Sequence, residues 1–179
     1  MEIKRFKKNI MEQIKEAQLK LGYSKETMRL YYPLPSLNAI LQSDYQKIED
    51  MQLALESAFL QEEELGKVKF AVHKKRLEVT ISPQGVEYVG EHYRASSFLK
   101  EMIDLFNEDH HCNLEKIKTL FAKHDKNYIC QKMPKGEDFD YVFYFENPEI
   151  DDYYYCIKEE MGHTIYHRFS KEDYELLLT

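Results

Sequence analysis

Three groups of residues in this chain have the types that chemistry needs. The first is Cys156 with His163 and His167. A turn over Glu159-Glu160-Met161-Gly162 would fold one strand back on the next, with Ile157 facing Thr164, Tyr155 facing Tyr166 and Tyr153 facing Arg168. Cys156 then shares a face with both histidines, each diagonal to it, the placement an imidazole-activated thiol would use. No oxyanion-hole loop or glycine turn accompanies the set. A buried cysteine ordinarily packs as a small hydrophobe, so Cys156 reads as packing.

The second group, Tyr153, Tyr155, Tyr166 and Arg168, lies on the opposite face of the same hairpin. A guanidinium over a tyrosine ring makes a cation–π contact, and it could equally receive an anionic ligand. The ordinary reading is an amphipathic sheet face covered by a helix. These four residues, with His163, His167 and Cys156, are the binding candidates. The third group is Asp109-His110-His111-Cys112 with His124 and Asp125. It holds metal-ligand types without metal-ligand spacing, because adjacent loop histidines diverge. It reads as a polar helix–helix turn unless Cys130 or Cys156 completes it, and no metal is expected. Nothing matches a phosphate loop, a dinucleotide fingerprint, HExxH or GxSxG. No catalytic residue is assigned and no cofactor is called for.

The elements that must position these groups follow from periodicity. Ile3, Phe6, Ile10, Ile14, Ala17 and Leu21 draw an amphipathic helix, with Gly22 as its stop. Ser24 caps a short second helix through about Leu30, before Pro33 and Pro35 force an extended corner. Ser36 begins another short helical stretch, and Ser43 with Gln46 reads as a capping box for a helix from Asp44 to about Leu65. From Lys67 the period becomes two. Val68–Val72, Leu77–Ile81 and Val86–Tyr88 form a three-stranded antiparallel meander, turning at Lys74-Lys75 and at Ser82–Gly85. Helices follow over Phe98–Phe106 and after Asn113, then strands at Tyr128–Met133 and Phe139–Phe145, the hairpin, and a terminal helix capped by Ser170. Phe139–Phe169 holds ten of the 24 aromatic residues, and both faces of Phe139–Phe145 should be covered.

Strand runs joined by turns, rather than strict alternation with helices, indicate an α+β fold. The expectation is amino-terminal helices, a mainly antiparallel sheet of about six to seven strands with two intervening helices, and a short terminal helix. At 179 residues the chain reads as a single domain, 1–179, with a seam near 61–66 between a helical front part and the remainder.

The net charge of -7 is unevenly placed. Met1–Arg29 has eight basic and four acidic residues, whereas Asp44–Gly66 has one basic and seven acidic. A phosphate backbone would be repelled by the whole, which argues against nucleic acid as a partner. The basic first helix should instead dock on acidic surface, within the chain or on a second copy. A homodimer or a protein partner through that helix is the expected association. No apolar run is long enough for a membrane helix, the amino terminus lacks a signal-peptide core, and three widely spaced cysteines form no disulfide framework. The expected location is the cytoplasm.

The run Leu21-Gly22-Tyr23-Ser24-Lys25-Glu26-Thr27, continued by Arg29-Leu30-Tyr31-Tyr32-Pro33-Leu34 and Ser36-Leu37-Asn38, is the most distinctive text in the chain. It resembles a family of uncharacterised gut clostridial proteins known only as a domain of unknown function. The resemblance implies a bacterial, cytoplasmic, stand-alone domain and carries no activity or ligand with it. The leading functional reading is a non-enzymatic binding or protein-interaction domain. The alternative is a small-molecule sensor or enzyme whose pocket is lined by the carboxy-terminal Tyr, His and Arg residues.

Overall fold

The computed structural model describes residues 1–108 and 112–178. It is α+β, with seven helices and seven strands among the described residues. The strands form two antiparallel sheets, of three and four strands, rather than one. The chain divides into two compact units, Met1–Ala95 and Ser96–Thr179. Residues 61–66 lie inside the first of these.

The amino-terminal unit runs α1 (Ile3–Leu21), β1 (Met28–Pro33), α2 (Leu34–Leu41), α3 (Ile48–Ala58), β2 (Val68–His73), β3 (Arg76–Ile81) and α4 (Pro83–His92). Its sheet has the order β1-β3-β2. Leu77, Val79 and Ile81 of the central strand are fully buried under the helices, together with Phe6, Ile10 and Ile14 of α1. The middle of the expected α1 seam is therefore used inside this unit, whereas Leu21 at its end is 63% exposed. The helix packs with α2 and α4, and Lys7 pairs with Glu62 at 2.8 Å and with Glu64, both just beyond α3.

Three elements differ from expectation. Met28–Pro33 is an edge strand paired with β3, not the end of a helix. Pro33 is tolerated because an edge strand need not donate on its open side. Pro83–His92 is a helix, not a turn and third meander strand. Ser82 caps it by accepting from the Gly85 N–H at 3.3 Å, and Pro83 sits in its first turn, where a missing N–H costs nothing. The third helix begins at Ile48 and ends at Ala58. Ser43 does not cap it, since its hydroxyl donates to Asn38 Oδ1 at 3.0 Å.

The carboxy-terminal unit runs α5 (Ser97–Glu108), α6 (Leu114–His124), β4 (Ile129–Lys132), β5 (Tyr141–Tyr144), β6 (Tyr153–Glu160), β7 (His163–Ser170) and α7 (Lys171–Leu177), with its sheet in the order β4-β5-β6-β7. Asn113 caps α6 and Ser170 caps α7, each accepting a backbone N–H. The β5 segment is covered on both sides. Phe98 of α5 and Phe121 of α6 pack edge-on and stacked against Phe145 at 4.8 and 4.9 Å, and Phe121 reaches Phe143 at 5.0 Å. On the other face, Tyr174 of α7 stacks on Tyr154 at 4.6 Å above Val142 and Cys156.

Candidate functional site

The β6–β7 hairpin turns on two residues, Met161 and Gly162, with φ of 51° and 81°. That left-handed pair matches strand twist as a primed turn does. Pairing consequently extends to Glu160 opposite His163, two residues tighter than the symmetric expectation. Tyr155 faces Arg168 and Ile157 faces Tyr166. A two-residue shift leaves every side chain on its expected face, as a one-residue slip would not.

Cys156 is now directly opposite His167 rather than diagonal to it. His163 lies at the turn, four residues along, or roughly 13 Å at strand rise. The trio is not gathered. Cys156 is fully buried and its thiol is pushed up to about 12 by burial, so it carries no thiolate at neutral pH. His167 is exposed, and its ring lies 5.3 Å from that of Phe139.

Tyr153, Tyr155, Tyr166 and Arg168 do share a face, and Arg168 Cζ lies 3.3 Å above the centre of the Tyr153 ring. Asp151 takes the anion's place beside it, with Oδ2 4.0 Å from Arg168 Nη2. The side chains of Arg168 and Asp151 are only 4% and 1% exposed. Asp151 Oδ2 also accepts from the Ser96 hydroxyl at 2.5 Å, and Oδ1 accepts from the Tyr153 N–H at 3.1 Å. Burial raises the Asp151 carboxyl above its ordinary range, against the pull of Arg168 and these donors. Ser96 accepts from the Leu99 N–H at 3.0 Å, so the same hydroxyl ties the start of α5 to the sheet. Sequence reading missed Asp151 and Ser96, because nothing local marks either as a partner of Arg168.

Of the third group, Asp109, His110 and His111 lie outside the described residues. Cys112 is buried, and His124 Nε2 lies 3.4 Å from Glu101. Among the described residues no cluster of three or more metal-ligating side chains occurs. A shallow groove of about 550 Å³ runs between α5 and α6, with Glu101 and Asp104 on one wall, Lys123 on the other, and Leu105 and Leu120 between.

The feature with most exposed chemistry is the outer face of the amino-terminal sheet. Strand alternation turns Leu30, Phe70 and Val79 inward, which leaves Arg29, Tyr31, Lys69, His73 and Arg76 exposed on the other side. Tyr31 and His73 sit side by side across the sheet, ring centres 6.2 Å apart. Glu78 stands in the middle. It accepts from Tyr31 and Thr80, and it lies 3.6 Å from Arg29 Nε. Lys74 and Lys75 form the β2–β3 turn, both with positive φ. Among the described residues no carboxylate pairs with Lys67, Lys69, Lys74, Lys75 or Arg76. The available signal was Lys67–Arg76, five basic residues and no acidic one. Its other half, Arg29 and Tyr31, is nearly forty residues away in sequence.

No curated protein and no solved structure matches this chain. One family model does, over residues 3–178, described as "Domain of unknown function, E. rectale Gene description (DUF3877)". A match over nearly the whole length places the chain in that family, in agreement with the resemblance read from Leu21–Asn38: it is a member of the DUF3877 domain family.

Proposed function

We propose that this chain is a non-enzymatic protein-interaction domain of the bacterial cytoplasm, and that the bare sheet of its amino-terminal unit is the contact surface. One observation carries this reading: an antiparallel β-sheet displays an aromatic pair and a set of cations with no carboxylate partner. An antiparallel sheet commonly leaves one polar face in water, but charges of one sign gathered there without partners create a local field that favours a complementary surface. Exposed Lys4 on α1 belongs to the same unit and carries the same sign of charge, whereas Lys8 on that helix is paired with Glu12 at 3.4 Å. The three free thiols support a reducing compartment. A sensor or enzyme using Tyr153, Tyr155, Tyr166 and Arg168 is less well supported, since its ligand would have to displace Asp151 from a sealed pair.

The test is a photo-crosslinking amino acid placed at exposed Ala71, between Lys69 and His73, and separately at exposed Lys126. In the native host, the Ala71 position should yield a discrete adduct whose mass identifies a polypeptide, and the Lys126 position should not. Equal labelling at both positions, or none at Ala71, would remove this surface as the basis of function.

A further inference from the structure

We infer that the occupant of this face is a short acidic polypeptide segment, with one aromatic or apolar side chain seated on Tyr31 and His73. This rests on the interaction reading above and narrows it to a chemical class. The argument starts from the distribution of charge on the sheet. Cations stand at the rim: Lys69 on β2, Arg76 on β3, and Lys74 and Lys75 at the turn between them. The centre carries a carboxylate, Glu78, already engaged by Tyr31, Thr80 and Arg29. A nucleic-acid strand brings a negative charge at every step and would set one against Glu78. A polypeptide can place its carboxylates against the rim and an uncharged residue over the centre.

Size points the same way. Six-residue strands span roughly 20 Å, the extended length of about six residues of a bound peptide. Charges beyond about 8 Å are largely screened at physiological salt, so a short segment responds to the patch rather than to the whole chain. A longer polyanion would leave the patch and meet the surface of a protein whose net charge is -7. Tyr31 is held in place by Glu78, so its ring is a fixed platform beside His73. A fixed ring offers contact area at little entropic cost.

The experiment measures fluorescence anisotropy of a labelled oligoglutamate peptide containing one central phenylalanine. An oligothymidylate of equal charge is measured in parallel. The full chain should bind the peptide more tightly than the oligonucleotide, and added salt should weaken that binding. Lys69→Glu/Lys74→Glu/Arg76→Glu should lose about tenfold or more in affinity. Lys100→Glu/Lys126→Glu/Lys135→Glu, which changes net charge equally at exposed positions of the other unit, should lose far less. Tyr31→Ala should weaken the phenylalanine peptide and leave an all-glutamate peptide unchanged. If the first triple variant does not melt like the parent, Lys74→Glu/Lys75→Glu at the turn replaces it. Tighter binding of oligothymidylate through the same residues would overturn the acidic-segment inference and leave the contact surface standing. Peptide binding equally weakened by both triple variants would overturn the inference as well. The Ala71 crosslink decides the surface independently.

Discussion

Asp151 and Arg168 lie 4.0 Å apart inside the carboxy-terminal unit, and Arg168 at the same time covers the ring of Tyr153 at 3.3 Å. An arginine poised for an anion is thus already served by the chain's own carboxylate. Because both side chains are sealed, removing one leaves an uncompensated charge. Asp151→Ala should cost about 3–5 kcal/mol in chemical denaturation, as broken buried pairs do. Asp151→Ala combined with Arg168→Met should recover part of that loss. A single-variant cost near zero would mean that the pair is hydrated and open to ligands.

Asp151 also sets a pH dependence. Its folded-state pKa is raised above the unfolded value, chiefly by burial. The contribution to stability is therefore fully present below the ordinary carboxylate pKa and is lost as pH rises through the raised folded value. Wild type should lose stability relative to Asp151→Asn across that window, read as the difference between their urea midpoints. A difference that stays flat, or runs the other way, would show that ionisation of Asp151 is not opposed by its surroundings.

Cys156 should behave as a packing residue against Val142 and Tyr174. Cys156→Ser buries a hydroxyl and should cost about 1–3 kcal/mol, unless it finds an acceptor. Cys156→Ala should cost less. With its thiol held near 12, Cys156 should react with a thiol reagent only as the unit unfolds, whereas exposed Cys130 should react in the native state. Comparable native labelling of both would contradict this.

What the sequence reveals tracks how local each feature is. The seam of α1, the α5 stripe and the alternation of β2 and β3 are written in consecutive residues, and all were legible. So was the placement of Tyr153, Tyr155 and Arg168 on one face, because a period of two survives a two-residue error in register. The strand Met28–Pro33 was not, since its partner Arg76–Ile81 lies some fifty residues on and no local pattern names it. Ser82-Pro83-Gln84-Gly85 is equally good text for a turn and for a capped helix start. Tertiary packing on Leu65 accompanies the helical outcome. The bare basic face was half legible, since Lys67–Arg76 is one continuous basic run, but Arg29 and Tyr31 join it only through the sheet.

The two glycines of α4 make that packing testable. An alanine in a helix is favoured over glycine by about 1 kcal/mol, so either substitution would stabilise an isolated helix. At Gly85, however, an added Cβ would lie 2.2 Å from the Leu65 carbonyl oxygen and 2.9 Å from its carbon, and backbone cannot swing aside. Gly85→Ala should therefore lower stability by about 1–3 kcal/mol despite its helix propensity. At Gly90 the neighbour is the flexible end of Gln18, 3.1 Å away, so Gly90→Ala should be neutral or mild. Thermal melts in which both variants behaved alike would argue against the close approach of α4 to Leu65.

The first helix offers the sharpest separation of apolar from ionic effects. Phe6, Ile10 and Ile14 are fully buried, and Lys7 on the same helix pairs with Glu62 and Glu64. Burial works to lower the Lys7 pKa, but its bonds to Glu62 and Glu64 together outweigh it and raise the value, and Lys7 in turn lowers Glu64. Exposed or half-exposed pairs contribute only about 0–1 kcal/mol each and fade with salt. Lys7→Ala, or high salt on wild type, should accordingly lower the melting temperature of the amino-terminal unit only slightly. Ile10→Asp with Ile14→Asp places two carboxylates in the fully buried apolar core of the unit. Each ion carries a penalty of several kcal/mol, and together they approach the 5–15 kcal/mol that holds an ordinary domain folded. The double variant should lose helical circular dichroism over α1 and the cooperative transition of that unit. A double variant that melted like wild type would mean that α1 does not depend on its seam, and that Lys7 with its two glutamates holds it after all.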